Sequence, residues 1–283
     1  MAITYYFKSF QHKARSLSLA LKANGLRPTH SRPDIAFYDR PAGMPLMRAV
    51  IMEYPHSALP PWWYDGLETL PDEVRCVFVI GEAQKEAMKI IAPRANVKVC
   101  GFPWADRVPF QNGKVERILF APIHPSKKGI RPEARETNQR IQLALSRLKG
   151  YQIFCRTVGD RKMQGIDEKI KMTYISGLPD GSTRDIDMCD LVIAEGTFLF
   201  LAVARGKPVI GINQNVPNRM NYDTRYPENW DKYGHLFKYP VDFDDAPLPE
   251  LLHQNEQTEW KERCMPEFDG KLFADSVVEA YGR

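Results

Sequence analysis

The feature that most constrains this chain is an alternation of two patterns. Short apolar runs rich in Val, Ile and Phe recur at ITYYF (3–7), DIAFY (34–38), RAVIME (48–53), VRCVFVI (74–80) and VKVCGF (97–102). They continue at RILFAPI (117–123), YQIFCRTV (151–158), KMTYIS (171–176), DLVIAE (190–195) and PVIGIN (208–213). Near-continuous apolar runs of this length suit strands buried on both faces, as in a parallel sheet. Between them lie stretches with helical spacing. Phe10, Ala14, Leu17 and Leu21 share one face of a segment over 8–24, and Gly25 is placed to end it. Residues 82–92 form a second helix, and 131–149 a third, opened by Pro132 and closed by Gly150. The alternation predicts an α/β chain of doubly wound sheets.

GFPWADRVPFQNGKVER (101–117) is crowded with Pro, Gly and charge and reads as a linker. It predicts an N-terminal domain over 1–107, a C-terminal domain over 115–265, and a closing helix within 266–283. Residues 214–250 are rich in Asn, Pro, Asp and Tyr and read largely as loop.

Charge is unevenly spread. Residues 1–50 hold eight Lys/Arg against Asp34 and Asp39, a local balance of +6. The rest holds 31 of the chain's 39 basic residues and 33 of its 35 acids. That division fits a polyanion-binding end on a near-neutral body. Lys8, Arg15 and Lys22 lie seven apart, on one helix stripe, with His12 and Lys13 beside them. Nucleic-acid phosphates or a wall polymer suit such a stripe, as does plain solvation of a charged face. Five scattered cysteines, the lack of a signal-peptide pattern and of any membrane-length apolar run point to a cytoplasmic protein.

Phosphate-loop, dinucleotide-fingerprint, zinc-protease and nucleophile-elbow motifs are absent from the sequence. What stands out is DLVIAEGTFLFLAVARGKPVIGI (190–212). A buried strand ends at Glu195, Gly196 permits a tight turn, and Thr197 opens an apolar helix that Gly206 closes. Free N–H groups and a positive dipole at a strand's carboxyl end make a seat for a diphosphate; any β-α-β unit has the same outline.

This stretch resembles the nucleotide-sugar half of GT-B glycosyltransferases. RILFAPIHPSKKG (117–129), VFVIGEAQKEAMK with VCGFPWAD (77–106), and MEYPHSALP (52–60) are similar to motifs of the CDP-glycerol glycerophosphotransferase and polysaccharide-transferase branch. The resemblance implies two Rossmann-like domains facing each other across a cleft. It also implies a nucleotide-diphosphate sugar, UDP-linked, as co-substrate, with no cofactor or metal. Two positions depart from the pattern. Leu201 stands where related helices carry a ribose-binding acid, which leaves Glu195 for that role. The branch's His-Gly is His56-Ser57 here.

His56 follows the 48–53 strand and is the candidate general base, since imidazole accepts a proton near neutrality. Glu53 is the carboxylate alternative. Trp62 and Trp63 offer a stacking surface for a sugar or base, or interdomain packing. His124, Lys127 and Lys128 follow one strand of the second domain and Arg156 ends another. Each can meet the charge that develops on a leaving diphosphate. Asp185-Ile186-Asp187 has the D-x-D form of the metal motif of single-domain transferases, but between Ser182-Thr183 and the next strand it reads as a helix start or turn. Asp242-Phe243-Asp244-Asp245 reads as a charged surface loop.

The expectation is a metal-independent glycosyltransferase acting on a polyanionic acceptor. Phage-type hydroxylated DNA stands first and a teichoic-type polymer second. A sugar-nucleotide epimerase and a non-catalytic nucleic-acid-binding module are the rival readings.

Overall fold

The structure, a computed structural model, describes residues 2–7, 15–38, 50–53, 74–103, 108–111, 113–123, 130, 132–158, 161–176, 182–212, 234–237, 239–252 and 257–282. The chain divides into two compact units. One comprises Met1–Trp104, Pro227–Phe237 and Glu262–Arg283; the other comprises Ala105–Tyr226 and Lys238–Lys261.

The first unit holds a six-stranded sheet in the order β2-β1-β3-β4-β5-β6. Its strands are β1 (Thr4–Phe7), β2 (Arg27–Pro28), β3 (Ile35–Tyr38), β4 (Val50–Glu53), β5 (Val74–Val79) and β6 (Val97–Val99). Every pairing is parallel. Helices α1 (Arg15–Ala23) and α2 (Glu82–Ile91) connect them. The core gathers Tyr5, Phe7, Leu17, Leu21, Phe37 and Phe78 with Phe273, Ala274 and Val277 of the chain's last helix, Gly270–Gly282. Phe7 and Phe37 stack at 4.5 Å, and Phe78 meets Phe273 edge-on at 4.9 Å. The C-terminal helix therefore completes the first unit's core.

The second unit holds a five-stranded sheet in the order β11-β10-β7-β8-β9, again all parallel. Its strands are β7 (Arg117–Phe120), β8 (Gln152–Thr157), β9 (Thr173–Ser176), β10 (Leu191–Ala194) and β11 (Val209–Gly211). Its helices are α3 (Pro132–Ser146), α4 (Ser182–Asp187), α5 (Gly196–Ala204), α6 (Leu248–Leu251) and α7 (Thr258–Cys264), the last ending in the first unit; α8 is Gly270–Gly282. Strand β10 is wholly buried, and α5 buries Leu199, Phe200, Ala202, Val203 and Ala204, so it reads apolar on all sides.

Buried amides lace this unit. Asn138 accepts from the Ile123 N–H at 2.9 Å and donates to its carbonyl at 3.2 Å and to that of Gln164 at 2.7 Å. Gln142 reads Asp167 the same way, at 2.9 and 2.8 Å. Gln257 accepts from the Val209 N–H at 3.1 Å and donates to its carbonyl at 2.9 Å, so an amide caps the free side of edge strand β11. A side-chain amide carries a donor and an acceptor side by side and so matches the N–H and C=O of one residue.

Gly206 shows why the helix after β10 must end on glycine. Its φ is +68°, and an added Cβ would lie 2.1 Å from the Pro109 carbonyl oxygen. That close approach lets the Gln111 N–H reach the Gly206 carbonyl at 2.8 Å while the Val108 N–H reaches Ala204 at 2.8 Å. Gly206→Ala combines a left-handed backbone with a clash against main chain, and is expected to cost about 2–4 kcal/mol. Urea unfolding followed by circular dichroism checks this; a midpoint equal to wild type would show that the approach is not fixed.

Candidate functional site

Connectivity singles out one place in the second sheet. The chain runs β7 to β8 to β9 in one direction, then returns to the other side of β7 for β10 and β11. The order reverses between β7 and β10, and open α/β sheets bind ligands at the carboxyl ends of such neighbours.

Those ends are tightly stitched. The Ala121 N–H donates to the Ile193 carbonyl at 2.9 Å, and the Ile212 N–H to that of Ala194 at 3.0 Å. Both polar groups of Ile123 are held by Asn138. Glu195 then takes an extended conformation (φ −119°, ψ 168°) as the residue before α5, and its side chain makes no capping bond to the helix. Gly196 follows at φ +57°, a conformation open to glycine at little cost. The residue after β10 thus turns sharply into a helix whose first N–H groups lack intrahelical partners.

Strand β8 ends beside this turn in a buried ion pair. Arg156 is 5% exposed, and its Nε donates to Asp185 Oδ2 at 2.8 Å. The guanidinium also lies 4.9 Å from the Phe198 ring centre. Arg156 therefore ties α4 to the first turns of α5. The second acid of the D-x-D stretch, Asp187, meets Arg205 through bonds of 3.0 and 2.9 Å. Each carboxylate of that stretch is matched to an arginine. Asp242 likewise departs from the surface-loop expectation. It is 2% exposed, bridges Gly211, and accepts from the Asp244 N–H at 3.0 Å.

Titration is perturbed around the same strands. Burial pulls the Lys207 ammonium down, against the pull of Asp187 and Asp190; its Nζ donates to Gln111 at 2.7 Å. Burial pushes the Cys155 thiol up to about 12, with Arg161 opposing. A thiol so placed is no nucleophile near neutrality.

The remaining sequence-derived candidates fall as follows. His56, Trp62, Trp63, His124, Lys127, Lys128, Lys8, His12 and Lys13 lie outside the described residues. For Glu53 and Thr197 the structure describes the backbone, at the end of β4 and in the first turn of α5. Leu201 sits half-buried in α5, which has no acid along its length. Arg15 and Lys22 are exposed on α1. The amides at 138, 142 and 164 escaped the sequence reading. Their signal was present: Asn138 and Gln142 occupy the buried stripe of α3, where polar residues need a defined partner.

No family model matches the chain, and no curated protein matches it in sequence. Solved structures do match. MnaA of Staphylococcus aureus, solved with UDP, aligns over 98% of this chain and 95% of its own at 11% identity and TM-score 0.59. The glycotransferase of kitacinnamycin aligns over 99% and 98% at 11% identity and TM-score 0.58. The wall teichoic acid polymerase TagF aligns over 99% and 89% at 9% identity and TM-score 0.56.

The fold is that of the GT-B proteins.

Against S. aureus TarM, solved with UDP and α-GlcNAc-glycerol, the GT-B match spans 94% of this chain but only 59% of TarM, at TM-score 0.50. At 9–11% identity these matches speak to the fold. Among the described residues, no helix is long and apolar enough to cross a membrane.

Proposed function

We propose that this chain transfers a sugar, or a sugar-like group, from a nucleotide-diphosphate donor to an acceptor hydroxyl. The observation that carries the reading is the Gly196 turn at the reversal point between β7 and β10. There the first N–H groups of α5 and its dipole can meet an anion, and the side chain of Glu195, the residue before the helix, makes no capping bond to them. The donor is a UDP-linked sugar, and MnaA and TarM, which share the fold, were each solved with UDP.

In this reading the acceptor oxygen bonds to the donor's anomeric carbon as the bond from that carbon to the diphosphate oxygen breaks. The electron pair leaves on the diphosphate. Charge builds there, and the α5 N-terminus with His124, Lys127 and Lys128 stabilises it. His56 takes the hydroxyl proton, with Glu53 as the alternative base. Glu195 reaches the ribose in place of the acid that α5 lacks. The scheme uses no metal, and the pairing of Asp185 with Arg156 and of Asp187 with Arg205 is consistent with it.

The acceptor is a polyanion, favoured by the +6 balance of residues 1–50. Hydroxylated DNA is the first candidate. A teichoic-type polymer is the second, since TagF and TarM have the same fold.

Incubation with UDP-glucose, with and without hydroxymethylated DNA or a polyglycerol-phosphate chain, tests the proposal. UDP release that depends on one acceptor is the expected result. Conversion of the sugar without an acceptor would identify an epimerase. No release, together with no UDP binding, would leave a nucleic-acid-binding module.

A further inference from the structure

Two strand exits next to the β7–β10 reversal are fixed by buried amides that the transfer chemistry does not use. Past β7 the chain is first tied to β10, through the Ala121 N–H and the Ile193 carbonyl. Two residues later it is tied to α3. There the Asn138 oxygen accepts from the Ile123 N–H, and its amide nitrogen donates to the carbonyls of Ile123 and Gln164. Gln164 in turn accepts, through Oε1, from the Val158 N–H at 3.2 Å, and Val158 is the first residue past β8. Asn138 and Gln164 are both fully buried.

Packing alone does not call for asparagine at this place. It is a poor residue for a helix interior, because its side chain competes for backbone hydrogen bonds. A buried amide is also unfavourable unless its own hydrogen bonds are made. Asn138 makes three, with both amide hydrogens and the oxygen engaged. A buried network satisfied in this way holds one geometry. What it holds is the backbone of Ile123. The next residue in the chain is His124, with Lys127 and Lys128 close behind.

From this juxtaposition of a fully bonded amide with the start of the segment that carries His124, Lys127 and Lys128, we propose that Asn138 is a positioning residue for the donor diphosphate. It touches no substrate. With Gln164 it sets the course of the chain out of β7 and β8 before the nucleotide arrives, so that less ordering remains to be done on binding. The inference rests on the donor seat of the transferase reading and adds the residue that holds its phosphate-facing segment in place.

Calorimetric titration of UDP into wild type, Asn138→Asp and Gln257→Glu tests this. Asn138→Asp keeps the size and the acceptor for the Ile123 N–H, but sets a carboxylate oxygen against the two carbonyls. It should weaken UDP binding by roughly 10- to 100-fold, the range lost with outer-shell partners of bound metals. Gln257 is the control, since it is as deeply buried and bridges the peptide groups of Val209 at the amino end of β11. Gln257→Glu should lower the melting temperature and leave UDP affinity near the wild-type value. In a Lys127→Gln/Lys128→Gln background the loss from Asn138→Asp should shrink, because residues that act through one another are not additive. Undiminished UDP affinity in a folded Asn138→Asp, or the same loss in both backgrounds, would overturn the positioning role and leave the donor seat standing. No UDP binding by wild type would remove the seat, and the role with it. Should Asn138→Asp not fold, amide hydrogen exchange of nucleotide-free wild type decides. The Ile123 and Val158 N–H groups should exchange slowly, and rapid exchange would show that the exits are not held.

Discussion

His56→Ala is expected to lower turnover by roughly 10²- to 10⁴-fold, the range a positioned general base supplies. The histidine follows the carboxyl end of β4, an interior strand of the first sheet, by three residues. Donor affinity should remain near the wild-type value, since every group assigned to the donor belongs to the second unit. That split, in kcat rather than in donor binding, separates a base from a residue that shapes the fold. His56→Gln should not rescue, because an amide keeps hydrogen bonding but cannot take a proton. A loss smaller than about tenfold would pass the role to Glu53, whose Glu53→Gln variant then becomes the informative one.

The strands were legible because burial on both faces leaves a plain trace. Ten apolar runs predicted ten strands, and each is present, shortened by a residue or more at one or both ends. Among the described residues the one strand missed, Arg27–Pro28, is two residues long and exposed, so no apolar run marks it. The fold family was legible too, because a strand, a glycine turn and an apolar helix must follow one another closely in DLVIAEGTFLFLAVARG. Helix α4 was harder. Ser182–Asp187 is six residues of mostly polar sequence, held by the arginine pairs of Asp185 and Asp187 rather than by periodicity. Those pairs join residues 29 and 18 positions apart, so the sequence suggested a helix start at Asp185 but not the arginines that hold it.

Gly196→Val is expected to weaken UDP binding by roughly 10- to 150-fold, the worth of one or more hydrogen bonds to a charged group. The structure sharpens the reason. At φ +57° a β-branched residue is strongly disfavoured, so valine both intrudes beside the anion and bends the turn away from its N–H geometry. Because that strain also draws on stability, Thr197→Val serves as the companion variant. It keeps the backbone and removes only a hydroxyl, and should cost less than Gly196→Val while leaving the melting temperature unchanged.

Calorimetric titration of UDP into wild type and these two variants tests the central claim most directly. The diphosphate seat at the β7–β10 reversal predicts saturable binding to wild type, with weaker binding to Thr197→Val and weakest to a folded Gly196→Val. Wild-type affinity in a folded Gly196→Val, or no binding of UDP or CDP to wild type at all, would contradict it.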